Sequence, residues 1–146
     1  MLFRSRETKV SVDLVGVLVD LCDQFRVAFD GPDELGMTLG VNGIKRAFAN
    51  LIENACKYGG GGRLTLRIDD DMVVVTIDDD GPGIPVGELE NVFAPFYRVE
   101  SSRNRETGGT GLGLAVARSA IRGNGGDVTL ANRQMGGLTV TVTLPL

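Results

Sequence analysis

The apolar pattern of this chain changes period along its length, and that change restricts the folds open to it. Leu14, Leu18, Leu21 and Phe25 recur at helical spacing, with Ser11 or Asp13 available to cap a helix running to about Ala28. Ile44, Phe48, Leu51 and Ala55 mark a second helix, from near Asn42 to the glycine run at 59–62. Leu114, Ala117 and Ile121 mark a third, from about Gly111 to Arg122. Elsewhere the period is two. Arg63–Ile68 and Met72–Asp78 read as strands joined by the acidic turn Asp69–Asp71. Asp127–Ala131 and Leu138–Leu144 read as a closing hairpin, in which Leu138, Val140, Val142 and Leu144 alternate with threonines. Met37–Leu39 is a short strand and Asp30–Glu34 a turn. Residues 1–10 read as a connector and 11–146 as one domain. Runs of strands with helices between them predict an α+β two-layer sandwich, its helices covering one face of a mixed sheet.

Composition removes several classes of function. The 15 basic and 19 acidic residues give a net charge of −4, which offers no general attraction to nucleic acid or to an anionic membrane. No apolar run approaches the ~18 residues of a membrane span. The chain has no histidine, so it holds neither a serine-protease triad nor a histidine metal site. Cys22 and Cys56 lie in apolar helical patterns and read as small core residues.

Three segments carry chemistry. On the second helix, Asn50 and Asn54 are four apart and so share a face, with Lys57 three further on. Asparagine is a mediocre helix former. The stripe is either a solvated face or a set of amide oxygens and a point charge for hydrated Mg²⁺ and phosphate. Next, Asp78-Asp-Asp-Gly-Pro-Gly-Ile-Pro85 ends a strand. It is either an acidic surface turn or a site in which one carboxylate faces inward. Counting by twos from Val73, Val75 and Ile77 selects Asp79. A buried carboxylate needs donors, and an adenine amine is one. Gly81 and Gly83 would let a ring approach the backbone. The register of an EF-hand fails here. Third, Gly108-Gly-Thr-Gly-Leu-Gly-Leu114 leads into a helix, whose free N–H groups suit phosphates. It is neither a Walker A loop, lacking Gly-Lys-Ser/Thr, nor a Rossmann fingerprint, whose third small residue is missing. Residues 79–110 carry no clear period, and so long an irregular stretch is usually functional.

In order and spacing these segments resemble the ATPase family shared by histidine kinases, type II topoisomerase B subunits, MutL proteins and Hsp90. The match is nearest to sensor histidine kinases. Asn50–Tyr58 looks like their N box, Asp79–Pro85 their first glycine box, Val92–Arg98 their F box and Gly109–Leu114 their second glycine box. The resemblance implies the Bergerat fold, with about five strands and three helices on one face. It implies ATP and Mg²⁺ as ligands. Asn54 would ligate the metal and Asn50 would lie near the phosphates, with Lys57 and Tyr58 on phosphate or ribose. Asp79 would hold the adenine amine, Gly81, Gly83 and Ile84 would line the base, and Thr139 would support that site from the last strand. The backbone of Gly109, Thr110, Gly111, Leu112, Gly113 and Leu114 would cradle phosphates. Arg98 and Arg103 would reach the γ-phosphate or, with Arg105, are solvated charges. Phe93 and Phe96 would anchor the lid.

The hydrolysing relatives carry a glutamate where this chain has Asn50, and an amide is no general base near pH 7. The resemblance therefore implies phosphoryl transfer to a histidine on a separate dimerisation domain, and onward to a response regulator. It also implies a cytoplasmic domain of a membrane-anchored receptor, monomeric when alone. A regulatory nucleotide-binding module without transfer activity and an anti-sigma-factor serine kinase are the alternatives of the same fold.

Overall fold

A computed structural model of the chain describes residues 7–59, 62–94 and 113–146, the side chains of Tyr58 and Gly59 excepted. Strands β1 (Val10–Asp13), β2 (Ala28–Asp30), β3 (Gly36–Leu39), β4 (Gly62–Asp69), β5 (Met72–Asp79), β6 (Asp127–Asn132) and β7 (Leu138–Pro145) alternate with helices α1 (Leu14–Phe25), α2 (Val41–Gly59) and α3 (Gly113–Gly123). Five strands form one mixed sheet in the order β2-β4-β5-β7-β6; β2 runs parallel to β4 and the other pairs are antiparallel. Strands β1 and β3 form a separate antiparallel ribbon.

The two periods become one core. Leu64, Leu66, Val73, Val75, Ile77, Val128, Val140, Val142 and Leu144 project from one face of the sheet. They meet Leu14, Leu18 and Cys22 of α1, Ile44, Phe48, Leu51, Ile52 and Ala55 of α2, and Ala117 and Ile121 of α3. All three helices therefore share that face, the expected two-layer arrangement. Burial raises the Cys22 thiol to about 11, with smaller contributions from Asp23 and Cys56, so it behaves as a core residue.

Two local expectations are corrected. Helix α1 does not reach Ala28. It ends at Phe25 because Arg26 takes the left-handed conformation, with φ 60°, and its N–H returns to the carbonyls of Asp23 and Cys22. The freed residues Ala28–Asp30 then become the edge strand β2 beside β4. Strand β1 was not expected, and its last residue, Asp13, is the N-cap of α1. Its Oδ1 accepts from Val15 N at 3.1 Å and from Leu35 N at 2.8 Å, so one carboxylate caps the helix and anchors the approach to β3.

The described end of the stretch 1–10 adjoins the body of the domain. Val10 lies in β1, and Glu7 is docked on the body. The Glu7 carboxylate accepts from Asn42 N at 2.7 Å and Gly43 N at 2.9 Å, two free donors in the first turn of α2. Buried Asn124, just after α3, reinforces the same corner: its Oδ1 accepts from Gly40 N at 3.0 Å and its Nδ2 donates to Ala120 O at 2.9 Å. A cap supplied from 35 residues away is invisible to local sequence rules. Glu7→Ala is expected to lower stability by about 1 kcal/mol, read as a lower urea midpoint at unchanged slope. An unchanged midpoint would show that the cap contributes nothing.

Candidate functional site

Two groups of expected residues adjoin where α2 passes the end of β5. Gly62 pairs with Asp79 in the ladder, and a Cβ on Gly62 would lie 3.7 Å from the Ala55 methyl. The strand end thus packs on the helix beside Asn54. Asn54 and Asn50 are half-buried on one helical face, while Lys57 and Glu53 are exposed. Asn50 Nδ2 reaches Gly113 O, the first residue of α3, at 3.4 Å. Asn50 therefore faces the first turn of α3. Leu114 follows there, packed on the core.

Asp79 is 6% exposed, as counting by twos along β5 requires. Its Oδ1 accepts from Gly81 N at 2.9 Å and from Leu138 N at 3.2 Å. Among the described residues, both of these bonds fall on the same oxygen. The first holds the turn after β5; the second ties β7 to it. Gly83 has φ +77°, a conformation that favours glycine, and a Cβ there would stand 2.5 Å from Asn132 Oδ1. Ile84, half-buried, follows it.

Thr139, expected to support the base site, lies in the last strand, β7. It pairs with Asp78, and its hydroxyl donates to the Asp78 carboxylate in a short contact. Asp78 and Thr139 occupy the face of the sheet away from the helices, because their neighbours Ile77, Asp79 and Val140 point inward. The residue of β7 that serves Asp79 is Leu138, through its backbone N–H. Arg98, Arg103 and the backbone of Gly109, Thr110, Gly111 and Leu112 lie outside the described residues, as do Phe96, Arg105 and the Tyr58 side chain.

The sequence reading missed the clamp at the foot of the F box. Val92 and Phe93 are buried, as core anchors should be. The Arg118 guanidinium of α3 lies 4.0 Å from the centre of the Phe93 ring and pairs with Glu90 at 2.5 Å and Asp127 at 3.1 Å. Arg122 also pairs with Asp127, at 3.0 Å. Arg118 thereby binds the segment 90–93 to α3. The hydrogen bond from Arg122 does most to lower the Asp127 carboxyl from 3.8 to about 2; burial opposes it, and Val128 N–H and Arg118 assist. Asp127 is thus more acidic in the folded chain, and its ionisation stabilises the fold. That contribution is complete above about pH 4 and is lost as the pH falls toward 2. Since the side chain is 44% exposed, solvent screening limits it to roughly 1 kcal/mol. Melting of the native chain and Asp127→Asn should differ at pH 6 and converge near pH 2; a constant gap would refute the linkage.

This arrangement has known counterparts. Residues 40–146 match the family of histidine kinase-, DNA gyrase B-, and HSP90-like ATPases. The chain belongs to that family. Within it, this domain resembles the catalytic parts of sensor histidine kinases. It is 40% identical over 106 residues to the sensor histidine kinase CpxA of Escherichia coli (strain K12), covering 72% of this chain and 23% of that protein. It is 46% identical over 102 residues to the sensor histidine kinase GtrS of Pseudomonas aeruginosa, covering 70% of this chain and 21% of that protein. The chain thus spans about a fifth of the length of these relatives. The solved structure of the mycobacterial sensor histidine kinase MprB superposes with a TM-score of 0.77 at 27% identity, covering 94% of this chain and 97% of that one. The fold is shared with solved histidine kinase catalytic domains, and the family is that of the histidine kinase-, DNA gyrase B-, and HSP90-like ATPases.

Proposed function

We propose that this domain binds Mg-ATP and transfers its γ-phosphoryl group to a histidine on a separate dimerisation domain of the same kinase, which passes it to a response regulator. The observation that carries this reading is the contact of Asn50 with the N-terminus of α3, beside a sheet whose strand β5 ends in the buried Asp79. Asp79 offers an acceptor to the adenine amine at a floor made by Gly81, Gly83 and Ile84. Asn54 offers a hard amide oxygen of the kind Mg²⁺ takes, and Asn50, one turn earlier, faces the phosphate end. Lys57 and Tyr58 serve phosphate or ribose. The first N–H groups of α3 and the loop Gly109–Leu114 receive phosphates, and Arg98 and Arg103 serve the γ-phosphate from the lid. Bound Mg²⁺ would neutralise phosphate charge.

The chemistry is positioning and charge neutralisation. The partner's imidazole nitrogen forms a bond to the γ-phosphorus as the bond to the ADP oxygen breaks, and ADP leaves with that electron pair. Asn50 cannot deprotonate water, and Glu53 is exposed on another side of α2, which supports transfer over hydrolysis. In this reading the domain is monomeric alone and works on the cytoplasmic side of a membrane-anchored receptor. Among the described residues no helix is long and apolar enough to cross a membrane.

The test is incubation with labelled Mg-ATP and the histidine-bearing domain of the same kinase. Base-stable, acid-labile label on that histidine is expected, together with strong loss for Asn54→Ala. Nucleotide binding without any transfer would overturn the kinase reading in favour of a regulatory module.

A further inference from the structure

Beyond β5 the chain leaves the sheet, so the segment 81–85 has no strand beside it, and Pro82 and Pro85 carry no N–H. One hairpin, that of β6 and β7, nevertheless holds it at Ile84 and just before its start, at Asp79 and Asp80. At the far point, the Asn132 amide forks onto a single residue. Its Oδ1 accepts from Ile84 N at 2.9 Å and its Nδ2 donates to Ile84 O at 2.6 Å. Those are the two bonds a neighbouring antiparallel strand would make, here supplied by a side chain. At the near point, Arg133 Nη1 donates to Asp79 O at 2.8 Å and to Asp80 Oδ1 at 2.9 Å. The turn closes on itself, with Arg133 N donating to Gly137 O at 2.9 Å and Gly136 N to Arg133 O at 3.1 Å. The chain then enters β7, where Leu138 N donates to Asp79 Oδ1. One rigid turn thus sets the height of Ile84 and Gly83 relative to the Asp79 carboxylate.

From this geometry we infer that Asn132 and Arg133 are positioning residues for base selectivity: they hold the floor at 83–84 so that only a purine bearing a 6-amino group meets Asp79 in hydrogen-bonding alignment. The inference rests on the reading of Asp79–Ile84 as the base site. It extends the site to a hairpin no ligand has to touch. A hydrogen bond to the amine depends steeply on distance and angle, whereas stacking of a ring on Gly83 and Ile84 tolerates a small shift. Releasing the floor therefore weakens ATP more than inosine triphosphate, which carries a 6-oxo group and has no 6-amino donor to align with Asp79.

The experiment is calorimetry of Mg-ATP and Mg-inosine triphosphate on the native chain, Asn132→Leu, Arg133→Met and Arg133→Lys, with urea unfolding of each. Asn132→Leu and Arg133→Met should weaken ATP about tenfold, the worth of one or two well-aligned hydrogen bonds. The inosine nucleotide should change less than about twofold, so the selectivity ratio collapses. Arg133→Lys keeps a donor for Asp79 O and should restore most of the ratio. Equal losses for both nucleotides, or no loss, overturn the inference while leaving the base site standing. A native chain that binds neither nucleotide overturns the base site and this inference with it. If Asn132→Leu shows no cooperative unfolding transition, the two Arg133 variants decide the matter, since that side chain only bridges backbone and surface carboxylate.

Discussion

Asp79→Asn is expected to abolish adenine-nucleotide binding in a domain that remains folded. The asparagine oxygen can take the place of Oδ1 and keep the bonds from Gly81 N and Leu138 N, which hold the turn and β7. The other terminal atom then changes from an acceptor to an NH₂ donor. In the native chain that position can receive a base amine; in the variant two donors meet in a pocket where Asp79 is 6% exposed and water cannot easily mediate. Sites built to pair a substrate polar group reject a mismatched one by factors of about 10⁴. A loss of at least ~100-fold in ATP affinity is therefore a conservative expectation. Stability should change by no more than about 1 kcal/mol, because the two intramolecular bonds survive. Calorimetry with Mg-ATP alongside a thermal melt separates the two quantities. Binding within a few-fold of the native chain would remove Asp79 as the reader of the base.

Gly137→Ala should damage both fold and site. Gly137 has φ +99°, outside the range an alanine adopts comfortably, and a Cβ built there would stand 1.9 Å from Asp79 O and 3.1 Å from Asp80 Cα. Both obstacles are backbone, one in the last residue of β5 and one just beyond it, so neither can swing aside. The turn must lift off β5, and the bonds from Arg133 to Asp79 O and from Leu138 N to Asp79 Oδ1 go with it. Strain at the dihedral and the lost contacts together predict a destabilisation of about 3 kcal/mol or more. For a domain of this size that lowers the melting temperature by roughly 10 °C. ATP binding should fall as well. Gly136→Ala separates the causes: Gly136 also has φ +99°, but a Cβ there meets nothing within 4 Å. It should show the dihedral penalty alone, about 1–2 kcal/mol. Equal effects at both positions would mean that the close approach to Asp79 is unimportant.

Most of the site could be read from the chain because its signals are local. Period two along β5 turns Asp79 inward whatever lies next to it, and a four-residue interval puts Asn50 and Asn54 on one face of any helix. The same counting applies to Thr139. Once Val140 and Val142 point to the core, Thr139 points away from it, and the backbone of Leu138 becomes the partner of Asp79. The Arg118 clamp left a weaker trace, since a basic residue on a helix otherwise reads as solvated.

The sequence by itself determined the helices α2 and α3, the four strands β4 to β7, the one-sided sheet and the inward carboxylate. Each follows from steric and hydrophobic rules acting over a few residues. Only the tertiary structure decided β1 and β2, which are strands because an open edge lies beside them: three or four residues carry too little pattern to declare themselves. It alone decided that Glu7 caps a helix 35 residues away, and that Asn132, with Arg133 beside it, replaces a missing strand partner of Ile84. Such bonds satisfy backbone groups left over after the regular elements form, and which side chain reaches them depends on where the finished chain brings its distant parts together.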